Sequence, residues 1–87
     1  MTQPIDITVR YFASIREAMG AGSASIRTAA ATVGELRAEL MRQSPAAAAA
    51  LAEGRAVRMA LNQNMCEAGA ALQSGDEVAF FPPVTGG

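Results

Sequence analysis

The chain has 87 residues, a net charge of −1 and one cysteine, with neither histidine nor lysine. This composition excludes a Ser-His or Cys-His nucleophile pair, a Schiff-base lysine, the usual structural zinc sites and an intrachain disulfide. It offers no basic face for nucleic acid, and no apolar run approaches the ~20 residues of a membrane span. Because residues 1–6 also lack a signal-peptide pattern, we expect a cytoplasmic protein with one small core, no metal and no bound cofactor.

Two strands are predicted near the N-terminus. Apolar and polar residues alternate over 5–12, which predicts a half-buried strand whose odd positions face the core. Phe12 falls on the outward side of this strand or begins the following turn. Residues 13–22 favour a brief helical segment closed by glycines, and residues 24–29 favour a second strand.

The clearest helix is predicted over residues 32–43. Thr32 and Glu35 form a capping box, in which the hydroxyl accepts from the Glu35 amide and the carboxylate reaches back to the Thr32 amide. The alanine-rich residues 46–52 predict a short second helix that we interpret as helical filler. One apolar stripe runs along the main helix through Val33, Leu36, Leu40 and Met41.

Three further strands are predicted in the second half, over residues 56–61, 65–67 and 77–81. In the last of them Val78 and Phe80 share the inward parity, and Ala79 and Phe81 share the outward one. The order of elements predicts an α+β fold: a ubiquitin-like β-grasp with a mixed sheet of about five strands packed on one main helix. Its first and last strands are expected to be parallel neighbours at the centre of the sheet.

We expect residues 1–81 to form this domain and residues 82–87 to form an extended, flexible tail. Pro82 and Pro83 stiffen the exit from the last strand, and Gly86 and Gly87 end the chain without side chains. Two residues without Cβ let a backbone carboxylate pass through a narrow channel into another protein. The Gly87 carboxylate is therefore the best candidate for a reactive group, and it must be activated first. The remainder of the tail is predicted to line such a channel: Pro82, Pro83, Val84, Thr85 and Gly86.

The sequence over residues 75–87, Gly-Asp-Glu-Val-Ala-Phe-Phe-Pro-Pro-Val-Thr-Gly-Gly, resembles the C-terminal signature of the small subunit of molybdopterin synthase, a ubiquitin-like sulfur carrier. The similarity extends to Tyr-Phe-Ala-Ser-Ile-Arg-Glu at 11–17, to the capped helix at 32–43 and to Leu-Asn-Gln at 61–63. Most of the chain is covered, although residues 46–52 lend no support.

The resemblance implies a route for sulfur through Gly87. An E1-like adenylating enzyme uses ATP to adenylate its carboxylate, and a sulfur donor protein converts the acyl-adenylate to a thiocarboxylate. The tail then enters the large subunit of molybdopterin synthase and gives its sulfur to cyclic pyranopterin monophosphate. Two carriers complete the dithiolene of molybdopterin, and the family assembles as two small plus two large subunits.

Three alternatives stay open from the residues alone. The first is a sulfur carrier for thiamine thiazole or tRNA thiolation, although such carriers generally lack the Phe-Phe-Pro-Pro-Val run. The second is a ubiquitin-like conjugation tag, which could modify targets but, without lysine, could not form chains on itself. The third is a plain binding module whose tail is incidental.

A partner-binding patch is expected beside the tail. Phe12 and Phe81 both fall on the outward side of predicted central strands, and exposed aromatics there indicate a docking surface. Met65, on the nearby short strand, and Arg16 are assigned to the same patch. The alternative is that one phenylalanine folds back to complete the core. Cys66 is expected to be an inert thiol, since no histidine or lysine is present to activate it.

Overall fold

The structure is a computed structural model that describes residues 3–52 and 56–82. These residues form five strands and three helices. The strands are β1 (Ile5–Tyr11), β2 (Ser23–Thr28), β3 (Arg58–Leu61), β4 (Asn64–Cys66) and β5 (Glu77–Phe81), and the helices are α1 (Ala13–Met19), α2 (Val33–Gln43) and α3 (Pro45–Ala50). The predicted tail from Pro83 onward lies outside the described residues, so the division at residue 81 stays a prediction.

The five strands form one mixed sheet in the order β2-β1-β5-β3-β4. Strands β1 and β5 are parallel, with Val9 opposite Val78 and Tyr11 opposite Phe80, whereas the other three pairings are antiparallel. The first and last strands are therefore central neighbours, as the order of elements predicted. This arrangement brings the end of β5 next to the end of β1.

The core lies between one face of the sheet and the helices. The alternation predicted for β1 is confirmed, because Ile7, Val9 and Tyr11 are all buried. From β5, Val78 and Phe80 join them, and neither exposes any surface. The apolar stripe of α2 packs into the same cluster through Val33, Leu36 and Leu40. We call this the covered face of the sheet and the opposite one the open face.

The N-terminus of α2 is held by side chains and by a neighbouring loop. Thr32 Oγ1 accepts from the Glu35 amide at 3.2 Å, as predicted. The Glu35 carboxylate accepts from the Ala31 amide at 3.3 Å and from the Thr32 hydroxyl at 3.4 Å, but not from the Thr32 amide, so the predicted backbone partner was wrong by one residue. The Gly34 amide donates to the Ala68 carbonyl at 2.8 Å, which places the loop after β4 directly against the helix start.

The alanine-rich helix is part of the core, which corrects its interpretation as filler. In and just after α3, Ala47 and Leu51 are fully buried and Ala50 is 8 % exposed. Arg37 of α2 fixes the end of α3 by donating to the carbonyls of Leu51 at 2.7 Å and Ala52 at 2.9 Å. Within residues 3–52 and 56–82, no helix is long and apolar enough to cross a membrane.

Candidate functional site

Two phenylalanines meet on the open face at the end of the central strands. Phe12, directly after β1, is 41 % exposed, and Phe81, the last residue of β5, is half-buried. Their ring centroids are 6.4 Å apart and their planes are 85° apart, the edge-to-face geometry that aromatic pairs prefer. Neither ring folds back into the core, so the structure agrees with the outward placement predicted for both.

Arg10 lies beside this aromatic pair, and the sequence analysis did not single it out. Its guanidinium carbon is 5.5 Å from the Phe12 ring centroid, within the range of a cation–π interaction. The same side chain forms an ion pair with Glu77 at 3.7 Å. The even parity of Arg10 in β1 was the signal that could have placed it on the face that carries Phe12.

Met65 extends the apolar surface across the sheet to the edge strand β4. It is 58 % exposed, and its register partner is Ala60, which in turn pairs with Ala79. Both alanines are buried although they lie on the open face, at 7 % and 8 % exposure. Each small side chain lies opposite a larger residue of a neighbouring strand: Ala60 is paired with Met65, and Ala79 is paired with Arg10.

Arg16, on helix α1, is the fourth residue of the predicted patch. It is exposed on α1 and, with Arg10, Phe12 and Glu77, lines a cleft of about 410 Å³ at the end of β1. The two ion pairs among the described residues, Arg10–Glu77 and Arg27–Asp6, leave Arg16 out. We use the name docking patch for Phe12, Arg16, Met65 and Phe81.

The chain leaves the sheet beside this patch. Pro82 follows Phe81 immediately and is half-buried. Because proline has no amide hydrogen and a fixed φ, it ends the pairing of β5 with its neighbours. Pro83, Val84, Thr85, Gly86 and Gly87 lie outside the described residues, and the roles predicted for them rest on the sequence.

The pKa values of Cys66 and Tyr11 are both raised, which is opposite to the shift that activates a nucleophile. Burial, and secondarily the neighbouring Glu67 carboxylate, raise the pKa of the Cys66 thiol. Cys66 packs against the core from β4, on the face opposite to Met65. Burial also raises the pKa of Tyr11, whose ring stacks on Phe80 with centroids 6.4 Å apart. Across the described part of the chain, no group of three His, Cys, Asp or Glu side chains could hold a metal.

Similarity to known proteins covers nearly the whole chain, including the tail. The ThiS family matches residues 9–87. The chain belongs to the ThiS family. It is also 42 % identical to the molybdopterin synthase sulfur carrier subunit of Escherichia coli, over 93 % of this chain and 99 % of that protein. The resemblance identified from residues 75–87 is therefore confirmed.

Solved structures share the fold. The solution structure of the Haloferax volcanii HVO 2177 protein superposes with a TM-score of 0.81 and 31 % identity, covering 97 % of this chain and 88 % of that one. A complex of subunits 1 and 2 of the molybdopterin-converting factor from Helicobacter pylori contains a chain with a TM-score of 0.68 and 28 % identity. That match covers 95 % of this chain and 100 % of the other, and it agrees with the predicted ubiquitin-like β-grasp.

Proposed function

We propose that this chain is a sulfur carrier and the small subunit of molybdopterin synthase. The observation that carries the proposal is 42 % identity to a sulfur carrier subunit of that enzyme over 99 % of its length. The geometry is compatible with this role, because Pro82, where the predicted tail starts, follows the edge-to-face pair of Phe12 and Phe81 on the open face. A carrier must present its reactive end to partners while its own body only docks.

The proposed chemistry takes place at the Gly87 carboxylate. A carboxylate oxygen attacks the α-phosphate of ATP on an E1-like adenylating enzyme, and pyrophosphate leaves. A donor protein then delivers sulfur at the oxidation level of sulfide, which attacks the acyl carbon of the adenylate, displaces AMP and leaves a thiocarboxylate. The large subunit binds the tail and directs this sulfur to cyclic pyranopterin monophosphate, building the dithiolene of molybdopterin. In this scheme the chain binds no cofactor, ATP is used by the activating partner, and the isolated chain has no sulfurtransferase activity.

Docking on the large subunit is assigned to the docking patch. Aromatic side chains supply much of the binding energy of interfaces, and Phe12 and Phe81 form an edge-to-face pair on the open face. Met65 adds a flexible apolar contact at 58 % exposure, and Arg16 adds a charge. Residues 82–86 would line the channel that leads to the reacting atoms.

The proposed assembly contains two small and two large subunits and works in the cytoplasm. The Helicobacter pylori structure is a complex of two different subunits, which supports a large-subunit partner. The proposed reaction needs two different chains, because the carrier supplies the sulfur and the partner supplies the catalytic groups. Each dithiolene needs two sulfur atoms, and therefore two loaded carriers.

The test is sulfur transfer with purified components. The chain is converted to the thiocarboxylate, mixed with the large subunit from the same genome, and supplied with cyclic pyranopterin monophosphate. We expect the two proteins to co-purify and molybdopterin to form, while the unthiolated chain forms a complex but no product. A thiocarboxylated chain that binds the large subunit and yields no molybdopterin would contradict the proposal.

A further inference from the structure

Two arginines flank the aromatic pair on the open face. Arg58, the first residue of β3, is exposed and is the register partner of Phe81, so both side chains lie on the same face of the sheet. On the other side of the pair, Arg10 precedes Phe12 by two residues along β1 and shares its face. Because β5 lies between β1 and β3, the two rings lie between the two positive charges.

Neither arginine is strongly engaged within the described part of the chain. The guanidinium carbon of Arg10 lies 5.5 Å from the Phe12 ring centroid, and its ion pair with Glu77 is 3.7 Å long. The side chains of Arg10 and Glu77 are 46 % and 29 % exposed, and an ion pair this open to water contributes little. The ion pairs among residues 3–52 and 56–82 do not include Arg58. Both charges are therefore accessible to a partner.

The carboxylates of the described strands that share this face lie towards its other end. Asp6 is near the start of β1 and Glu77 is the first residue of β5, whereas the aromatic pair lies at the ends of these parallel strands. Asp6 is already paired with Arg27 at 3.3 Å. The strands thus place positive charge beside the aromatic pair, although the whole chain has a net charge of −1.

A partner that covers Phe12 and Phe81 also removes water from the neighbouring guanidinium groups. Burying a charge without a counter-charge is costly, and the planar fork of a guanidinium fits a carboxylate with two parallel hydrogen bonds. A surface that is complementary to this part of the open face therefore combines an apolar centre with carboxylates at its rim.

We propose that Arg10 and Arg58 are specificity-determining residues, and that the large subunit meets them with carboxylates when it covers the docking patch. The inference rests on the proposed function, which assigns docking on the large subunit to that patch. Charges at the rim of an interface act mainly on the association rate and on its salt dependence. Each arginine should therefore speed association at low salt, and the effect should fade as salt screens the charges.

The experiment measures association and dissociation rate constants for the complex with the large subunit from the same genome, at several salt concentrations. Arg10→Gln and Arg58→Gln remove each charge, Arg58→Glu reverses one, and thermal unfolding of each free chain checks the fold. The matched controls are Arg42→Gln and Arg42→Glu, because Arg42 is an exposed arginine of α2, which packs on the covered face.

The neutral variants at positions 10 and 58 should weaken binding by about two- to fivefold at low salt, with a smaller salt dependence of the association rate. Arg58→Glu should weaken binding by about tenfold or more, because it places like charges opposite each other. Both Arg42 variants should bind as the wild type does.

Glu77→Gln should change the association rate in the opposite direction. It removes the carboxylate that pairs with Arg10, so the positive charge beside the aromatic pair is no longer partly neutralised. We expect this variant to associate faster than the wild type at low salt and at the same rate at high salt. Slower association of Glu77→Gln would contradict a carboxylate-bearing partner surface.

Three further results would overturn the inference. Arg10→Gln and Arg58→Gln binding like the wild type at every salt concentration would show that neither charge takes part. Weaker binding with an unchanged salt dependence would show that only the apolar stems are used. Tighter binding of Arg58→Glu would show that the facing surface is basic. In each case the wild-type complex and its sulfur transfer remain, whereas a wild-type chain that forms no complex would contradict the proposed function and the inference with it.

Discussion

The covered and open faces of the sheet differ although the same strands build both. At the end of β1, Tyr11 is 4 % exposed and the next residue, Phe12, is 41 % exposed. At the end of β5, Phe80 is fully buried and the next residue, Phe81, is half-buried on the open face. Adjacent aromatic residues therefore have opposite placements: one of each pair packs the core, and the other belongs to the proposed docking patch.

The edge strand β4 repeats this division with Met65 and Cys66. Met65 is 58 % exposed on the open face, whereas Cys66 packs against the core. Successive side chains of a strand point to opposite faces, so a shift of one residue in register would exchange the two sets. The comparison predicts that stability and docking can be altered separately, by substitutions at neighbouring positions.

The largest expected effect is on the covered face. Phe80→Ala removes a fully buried ring and should lower the free energy of unfolding by ~3–5 kcal/mol. Phe81→Ala loses a half-buried ring and its edge-to-face contact, and should cost about 1–2 kcal/mol. Urea unfolding of both variants measures the difference. Equal losses would contradict the division between the two faces.

The next effect is on binding through the open face. Phe81→Asp places a charge in the docking patch and should weaken binding to the large subunit by about 30-fold or more, which corresponds to ~2 kcal/mol. Ser25→Asp is the matched control, since it adds the same charge to an exposed position of β2. Titration calorimetry gives both affinities, and thermal unfolding checks the fold. If Phe81→Asp unfolds the chain, Phe81 belongs to the core.

A smaller effect is expected where α2 meets the loop after β4, at the border of the covered face. Gly34→Ala puts a Cβ 2.9 Å from Ala68 Cβ and 3.1 Å from the Ala68 carbonyl oxygen. The clash should cost ~1–3 kcal/mol of stability, because a backbone atom must move. Gly69→Ala, on the same loop but in open space, should change stability by less than about 0.5 kcal/mol. A harmless Gly34→Ala would show that the loop shifts freely.

The smallest effect is predicted for Cys66. Burial and Glu67 raise the pKa of its thiol, so at any given pH a smaller fraction of it is thiolate than in a free cysteine. Iodoacetamide should therefore alkylate the folded chain more slowly than the urea-unfolded chain at the same pH. Cys66→Ala should leave sulfur transfer unchanged. A large loss of transfer with an unchanged fold would show that the thiol takes part.

The faces of the strands were predictable from the sequence because period-two alternation is local. Phe12 and Phe81 could be placed on one face by parity, and Met65 was added because it lies on a nearby strand. Contacts between distant segments could not: nothing in residues near Gly34 indicates Ala68, and nothing near Arg37 indicates the carbonyls at the end of α3. Such contacts depend on how loops are arranged once the sheet has formed.

The packing of α3 into the core could not be predicted from its composition. A run of alanines has high helix propensity but no apolar periodicity, so it does not reveal which side is buried. Ala47 and Leu51 turn out to be fully buried, and only the packed structure distinguishes them from exposed Ala49. The same limit applies to Ala79, whose parity is outward but whose small side chain is buried among larger neighbours.

The central claim is that sulfur travels on the carboxyl carbon of Gly87, and deletion of this residue tests it most directly. Deletion moves the carboxylate back by about 3.5 Å, and a misplacement near 1 Å can already cost about 100-fold in rate. The measurement is the intact mass of the chain after incubation with the adenylating enzyme, ATP and a sulfur source.

We expect the wild-type chain to exchange one oxygen for sulfur and the deletion variant to remain unchanged. The same holds for a chain extended by one residue, whose Gly87 carbonyl is an unreactive amide. Both variants should keep the stability of the wild type and its affinity for the large subunit, since the core and the docking patch are intact. A Gly87 deletion that gains sulfur at the normal rate would contradict the account.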